Sequence, residues 1–332
     1  MRSPGWSSSP PQAAAAPPSP EEEWAFLALY ERLLDRFAPD VVLTYGGQRV
    51  AAEMMRMARA RGIRVVFWLC NFAYGDARLF ECTDEVLVPS QFSADHYRRS
   101  LGLRCTAIYS PIDWAKIACD KADGTQYVTF VNPQPTKGVF IFARIAEQLH
   151  RRRPDIPLLV VEGRGGVNWL SRTGVDLRAM RNLHVMANTP DPRDFYRVTR
   201  LVLMPSLWRE SFGRVPAEAL INGIPVLASD RGALPEILRD AGLLFTIPEC
   251  FTPDSRQPPS AEDVGGWIEA VVGLWDDDRW YRREQLRCRR AAEAWRPERL
   301  AEAYDVWLRS VTGHSLSGGH VSQGKSIGEV DA

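Results

Sequence analysis

The sequence predicts an α/β protein made of two doubly wound, parallel-sheet domains. Two observations lead there. Short unbroken Val/Ile/Leu runs recur between stretches of helical spacing, the pattern of strands buried on both faces by helices. These runs also fall into two sets, separated by the polar, irregular stretch 110–126. A length of 332 residues fits about two domains.

Residues 1–20 are rich in Pro, Ser and Ala, lack the continuous apolar core of a signal peptide, and read as a disordered leader. Glu21 to Phe37 has helical spacing, with Trp24, Leu27, Ala28 and Leu34 as its apolar positions, and stops near Pro39. Strand candidates follow at Val41–Thr44, Arg64–Leu69, Glu85–Val88 and Cys105–Tyr109, with helices from Gly47 to about Arg61 and over about Gln91–Leu101. The second set begins at Tyr127–Val131. It continues at Pro157–Val161, Asn182–Met186, Leu201–Met204, Pro225–Ala228 and Gly242–Phe245. Helices are predicted at about 261–275, 279–295 and 297–311, and the Gly/Ser/His-rich tail from Thr312 reads as disordered.

Composition narrows the function classes. The chain is 45% apolar and 25% charged, with 41 acidic and 41 basic residues, so no global charge steers it toward nucleic acid or anionic lipid. No apolar run approaches the roughly 20 residues of a membrane span. The six cysteines have no zinc-ligand spacing and read as buried free thiols, and the five histidines are scattered. A cytoplasmic setting is expected. Asp276-Asp277-Asp278 sits between two amphipathic helices and reads as an N-cap rather than a metal motif.

Three segments carry chemistry. In Tyr127–Arg144 a strand runs into a loop, and Lys137-Gly138 opens a helix with apolar Val139, Phe142, Ala143, Ala146 and Leu149. A lysine there adds charge to the positive end of the helix dipole and suits a diphosphate, although a solvated helix-start lysine would look the same. Glu162-Gly-Arg-Gly-Gly166 follows a strand and reads as a close backbone turn; Asn168 stands where a dinucleotide fingerprint needs its third glycine. The third segment, Ser206–Ser229, places Glu210 in a loop after one strand and Glu218 in the helix before the next, with Ser211-Phe212-Gly213 between them. Free backbone N–H groups at the helix start suit an anionic or hydroxyl-rich ligand, and the two carboxylates can accept from sugar hydroxyls. Taken singly, Glu218 reads as a first-turn dipole acid and Glu210 as a solvated loop acid.

Together these pieces resemble the group 1 glycosyltransferases, the retaining family of GT-B architecture. The resemblance is carried by Val131-Asn-Pro-Gln-Pro-Thr-Lys-Gly138, the Pro157–Gly163 strand and turn, Trp208–Ala219 and Gly223–Ile237, and more loosely by Pro39-Asp-Val-Val-Leu and Asp84–Ser90. It implies two Rossmann-like domains facing a cleft. An N-terminal, acceptor-side domain would span 21–118, shortened because family members open with a strand and glycine-rich loop well upstream of Pro-Asp-Val-Val. A nucleotide-sugar domain would span 127–296, and a helix at 297–311 would pack back on the first domain.

The resemblance also assigns roles. Lys137 would neutralise the donor diphosphate and Glu210 would contact sugar hydroxyls, as the catalytic pair. Ser211, Phe212 and Gly213 would bind sugar and phosphate through their backbone, Glu218 would accept from the ribose, and Asn132 and Gly163 would complete the donor site. The implied activity is metal-independent, retaining transfer from a nucleoside diphosphate sugar to a glycan, lipid or small-molecule acceptor. That sugar is a substrate; no cofactor is implied. Asn132 stands where the family usually has a basic residue, and Cys70-Asn71 where it often has a histidine. Two alternatives stay open: a catalytically impaired nucleotide-sugar-binding module needing a partner subunit, to which the shortened first domain points, and another GT-B enzyme such as a sugar-nucleotide epimerase. Peripheral membrane contact also stays open.

Overall fold

In the computed structural model, residues 18–124 and 126–313 are described. Most of the predicted leader and tail therefore lies outside the described residues. The leader's last residues are already ordered: Ser19 caps the first helix, its hydroxyl taking the Glu22 N–H at 3.2 Å while the Glu22 carboxylate takes the Ser19 N–H at 2.7 Å. At the other end, the last helix runs through Thr312 and stops at Gly313 in the left-handed conformation.

The first domain contains α1 (Pro20–Phe37), β1 (Val41–Thr44), α2 (Arg49–Ala60), β2 (Arg64–Trp68), β3 (Glu85–Val88), α3 (Gln91–Leu101) and β4 (Thr106–Ala107). Its four strands are parallel and lie in chain order. β4 has shrunk to two residues of the Cys105–Tyr109 run. The connecting stretch is not wholly irregular: α4 (Trp114–Ile117), capped by Asp113, lies within it.

The second domain contains β5 (Tyr127–Val131), α5 (Val139–Arg152), β6 (Leu158–Val161), β7 (Leu183–Met186), α6 (Arg193–Tyr196), β8 (Thr199–Met204), α7 (Arg214–Ile221), β9 (Val226–Ser229), α8 (Leu234–Leu238), β10 (Leu243–Phe245), α9 (Gly265–Asp276) and α10 (Asp278–Ala292). Its six parallel strands run in the order β10-β9-β8-β5-β6-β7. Every residue of β6 and β9 is buried, which is why these strands read as unbroken apolar runs rather than alternating ones. Phe130 of β5 stacks on Phe142 of α5, with ring centroids 4.5 Å apart, in the core beneath one face.

α11 (Pro297–Thr312) returns to the first domain, where Trp307 and Val311 pack on Val66 and Leu87. The joint beside it is tied by the Trp114 indole N–H donating to the Trp295 carbonyl at 2.8 Å and by Tyr304 donating to the Tyr109 carbonyl at 3.2 Å.

Asp277 caps α10 by accepting from the Arg279 and Trp280 N–H groups, while Asp276 pairs with Arg153 and Asp278 with Arg200. The cysteines depart from expectation. Only Cys288 is buried; Cys70 is exposed just past the end of β2, and Cys250 is exposed in a turn after β10.

α1 packs on α2 through Tyr30 and Leu34 and leaves Phe26, Leu29, Leu33 and Phe37 exposed. The outer edge of β1 has no strand partner among the described residues, and Leu43 and Tyr45 are exposed beside it.

Strand order fixes where a ligand can sit. Chain connections leave β5 toward β6 on one side and return to β8 on the other, so the loops after β5 and β8 diverge and open a crevice at their carboxyl ends. Gly138 makes that crevice possible. It adopts φ +82°, and a Cβ there would lie 1.8 Å from the Pro205 carbonyl oxygen. Gly138→Ala is therefore expected to lower the urea unfolding midpoint, with about 1–3 kcal/mol from the backbone conformation alone and more from the clash. Equilibrium unfolding with a two-state fit checks it.

Candidate active site

A cavity of about 470 Å³ lies between the domains. On the first-domain side it is lined by Trp68, Cys70, Pro89, Ser110 and Pro111, at or just past the ends of β2, β3 and β4. On the other side it is lined by Phe130 and Val131 at the end of β5, by Asn132 and Lys137 after it, by Leu203 and Met204 of β8, and by Glu210 through Val215. The carboxyl ends of both sheets thus contribute to one crevice, the position expected for a ligand site in doubly wound sheets.

Lys137 and Glu210 meet at its centre. Lys137 Nζ lies 2.6 Å from Glu210 Oε1, and the Ser206 hydroxyl donates to the same oxygen at 2.8 Å. Glu210 is only 7% exposed, so it is no solvated loop acid. Its backbone is pinned as well: it bridges to Gly232, its carbonyl accepts the Ala233 N–H at 2.8 Å, and a Cβ on Gly232 would lie 2.3 Å from its nitrogen. Its Oε2 has no hydrogen-bond partner among the described residues and remains free to accept from a ligand hydroxyl. Lys137 likewise keeps unused donors.

Glu218 sits in the second turn of α7 rather than its first, and is 6% exposed. Tyr196 donates to its Oε2 at 3.0 Å, and Arg214 approaches its Oε1 through Nε at 3.1 Å and Nη2 at 3.0 Å. Burial and the adjacent carboxylate push the Tyr196 phenol well above its usual range, so it remains a donor to Glu218.

Asn132 lines the cavity, but its side chain is committed elsewhere. The residue has φ +64°, and its Oδ1 accepts the Gly165 N–H at 2.8 Å, tying the β5 loop to the β6 loop. Gly163 belongs to that second loop, where a Cβ would lie 3.2 Å from the Asn132 side chain. Neither Gly163 nor Glu218 is among the cavity-lining residues; Asn132, Lys137, Glu210, Ser211, Phe212 and Gly213 are.

The first domain grips the Glu210 loop directly. Ser90 and Ser93 donate to the Ser211 carbonyl at 2.6 and 3.1 Å, and the Ser211 hydroxyl donates to the Cys70 carbonyl. Glu236 of α8 reaches across to the start of α3, accepting the Gln91 and Phe92 N–H groups at 2.9 and 2.8 Å. These partners had no local signature that paired them. Ser90 also caps α3, taking the Ser93 N–H at 3.1 Å.

Residues 120–252 match the family model for glycosyl transferases group 1. A D-inositol 3-phosphate glycosyltransferase of Rhodococcus erythropolis is 34% identical over 173 residues, which cover 48% of this chain and 36% of the relative. The chain spans well under half the length of the first two curated relatives it matches, 36% and 42%. Among solved structures, a Rickettsia africae glycosyltransferase superposes with a TM-score of 0.70 at 14% identity, covering 91% of this chain and 85% of that one. An Anabaena HepE complex with UDP-glucose superposes with a TM-score of 0.67 at 17% identity, covering 86% and 81%. The fold is GT-B, two Rossmann-like domains facing a cleft. No helix among the described residues is long and apolar enough to cross a membrane.

Glu236→Ala is expected to speed hydrogen exchange at the Gln91 and Phe92 amides and to cost about 0.5–2 kcal/mol, as the loss of a helix cap does. Residue-resolved exchange measurements check it; unchanged protection would show that water replaces the carboxylate without loss.

Proposed function

We propose that this chain is a retaining glycosyltransferase. It would move a sugar from a nucleoside diphosphate sugar to a hydroxyl of a glycan, lipid or small-molecule acceptor, with protein side chains rather than a metal ion supplying the positive charge. The observation that carries this reading is the Lys137–Glu210 pair at the switch point of a group 1 domain, inside a cavity closed by the first domain.

A sugar diphosphate has one part for each member of that pair. The phosphate oxygens take Lys137, and the sugar hydroxyls donate to Glu210. As the bond between the anomeric carbon and the phosphate oxygen breaks, negative charge grows on the diphosphate. Lys137 is held close to the place where that charge appears, so its stabilisation strengthens toward the transition state. Glu210 is the only carboxylate among the cavity-lining residues, and its contact with Lys137 suits a hydroxyl acceptor better than a covalent nucleophile. The acceptor hydroxyl then attacks from the face the diphosphate leaves, giving its proton to the departing phosphate oxygen, and configuration is retained. The first-domain wall at Trp68, Cys70, Pro89 and Ser110 is where the acceptor would enter.

The open edge of β1 favours one second reading, a nucleotide-sugar-binding module completed by a partner. Calorimetry and a turnover assay across a panel of donors and acceptors separate the two. Turnover by the chain alone supports the enzyme, whereas nucleotide binding without transfer or hydrolysis supports the module. In the active chain, Lys137→Ala and Glu210→Ala are each expected to lower turnover by about 100- to 1,000-fold, the scale of removing one charge-stabilising donor. Wild-type-like turnover in both variants would overturn the site.

A further inference from the structure

The charged residues around the crevice form two neighbouring cation–carboxylate pairs. Lys137 holds Glu210 at 2.6 Å, and Arg214 holds Glu218 at 3.0 Å. Each pair leaves its cation with capacity to spare. Arg214 uses Nε and Nη2 on one carboxylate oxygen, its Nη1 has no partner among the described residues, and its side chain is 63% exposed where it lines the cavity. Asn132, which also lines the cavity, is neutral and spends its carboxamide oxygen on Gly165.

Charge balance makes the second cation matter. A nucleoside diphosphate brings about two or more negative charges into a crevice where Lys137 is already neutralised by Glu210. Lys137 alone leaves that charge poorly matched, and an unmatched charge in a partly buried site is costly. Arg214 is the other cation among the cavity-lining residues. It stands at the first position of α7, where the preceding Gly213 at φ +90° turns the chain into the helix and the free N–H groups point out of the helix start.

We propose that Arg214 is a phosphate-binding residue, contacting the diphosphate of the donor through Nη1 while its other nitrogens keep Glu218 in place. This rests on the glycosyltransferase reading above and names a binding group for the same site. The two pairs are then one device. A ligand with two phosphates between two hydroxyl-bearing rings draws on both cations, with Glu210 and Glu218 as acceptors for the sugar and the ribose. A free nucleoside meets only the Glu218 end, and inorganic pyrophosphate only the cations. Guanidinium geometry suits the role, since one edge can stay on a carboxylate while the remaining N–H groups face a phosphate.

The test compares binding of UDP, GDP and ADP with binding of their nucleosides, for the wild type, Arg214→Ala and Arg214→Lys. Calorimetry serves for the diphosphates and ligand-observed NMR for the weak nucleosides. For the preferred base, Arg214→Ala is expected to weaken diphosphate binding about ten- to hundredfold, as loss of a charged hydrogen bond does, with nucleoside binding changed less than twofold. Arg214→Lys should recover part of the diphosphate affinity, because it restores the charge without the fork. Equal weakening of diphosphate and nucleoside would mean that Arg214 only props Glu218, and would overturn the inference. Unchanged diphosphate binding would overturn it too, while leaving the glycosyltransferase reading intact. A wild type that binds none of the three diphosphates would remove both. Thermal melting of each variant reports separately on the loss of the cation paired with the buried Glu218 carboxylate.

Discussion

The site depends on how closely two strand-end loops can approach. The loop after β5 and the loop after β8 diverge by topology, yet they are laced together beyond the strands. The Thr136 carbonyl accepts the N–H groups of Leu207 and Trp208 at 3.0 and 2.9 Å, and the Ser206 hydroxyl at 3.3 Å. That lacing is possible because Gly138 has no side chain against the Pro205 carbonyl. It sets Lys137 and Glu210, 73 residues apart, within 2.6 Å of each other. A buried pair of this kind is weak evidence of stability, since desolvating two charges offsets much of their attraction. Its value lies in fixing where a positive charge and an acceptor oxygen stand before any ligand arrives.

Around that contact, the protein spends short backbone-directed contacts where a loop would otherwise move. Gly232 and Ala233 hold the Glu210 main chain, Asn132 in a left-handed conformation holds Gly165, and Glu162 accepts the Val167 N–H at 2.8 Å. The crevice walls are therefore built of fixed loops carried on a sheet in which β6 and β9, flanking the central pair, are wholly buried. Such preorganisation is what electrostatic stabilisation of a leaving group requires, because donors already in place need not reorganise as charge develops.

Much of this was legible in the sequence. Strands buried on both faces left continuous apolar runs, so all ten strands were found to within a few residues, apart from β4, which shrank where its run emerged at the surface. Lys137 and Glu210 were recognisable from the motifs around them. Other features had no local trace. Asn132 looked like a donor-site residue with a weakened cation, and only its positive φ and its bond to Gly165 show where its side chain goes. Arg214 carried no signal of its own in the sequence; its contact with Glu218, one turn on, and its place at the cavity come from the fold. Ser90, Ser93 and Glu236 meet partners 118 to 145 residues away, and no periodicity or spacing encodes a contact between separate domains.

Those cross-domain contacts have a mechanical consequence. Glu210 is tethered to its own domain through Lys137, Ser206 and Ala233, while Ser211, the very next residue, is tethered to the other domain through Ser90, Ser93 and Cys70. One peptide bond therefore straddles the boundary between the two domains. Rotating the domains apart must break the hold on Ser211 and slacken the residue beside the carboxylate. The interdomain angle and the aim of Glu210 are in effect a single coordinate, so whatever steadies one steadies the other, and by the reciprocity of linked equilibria to the same extent.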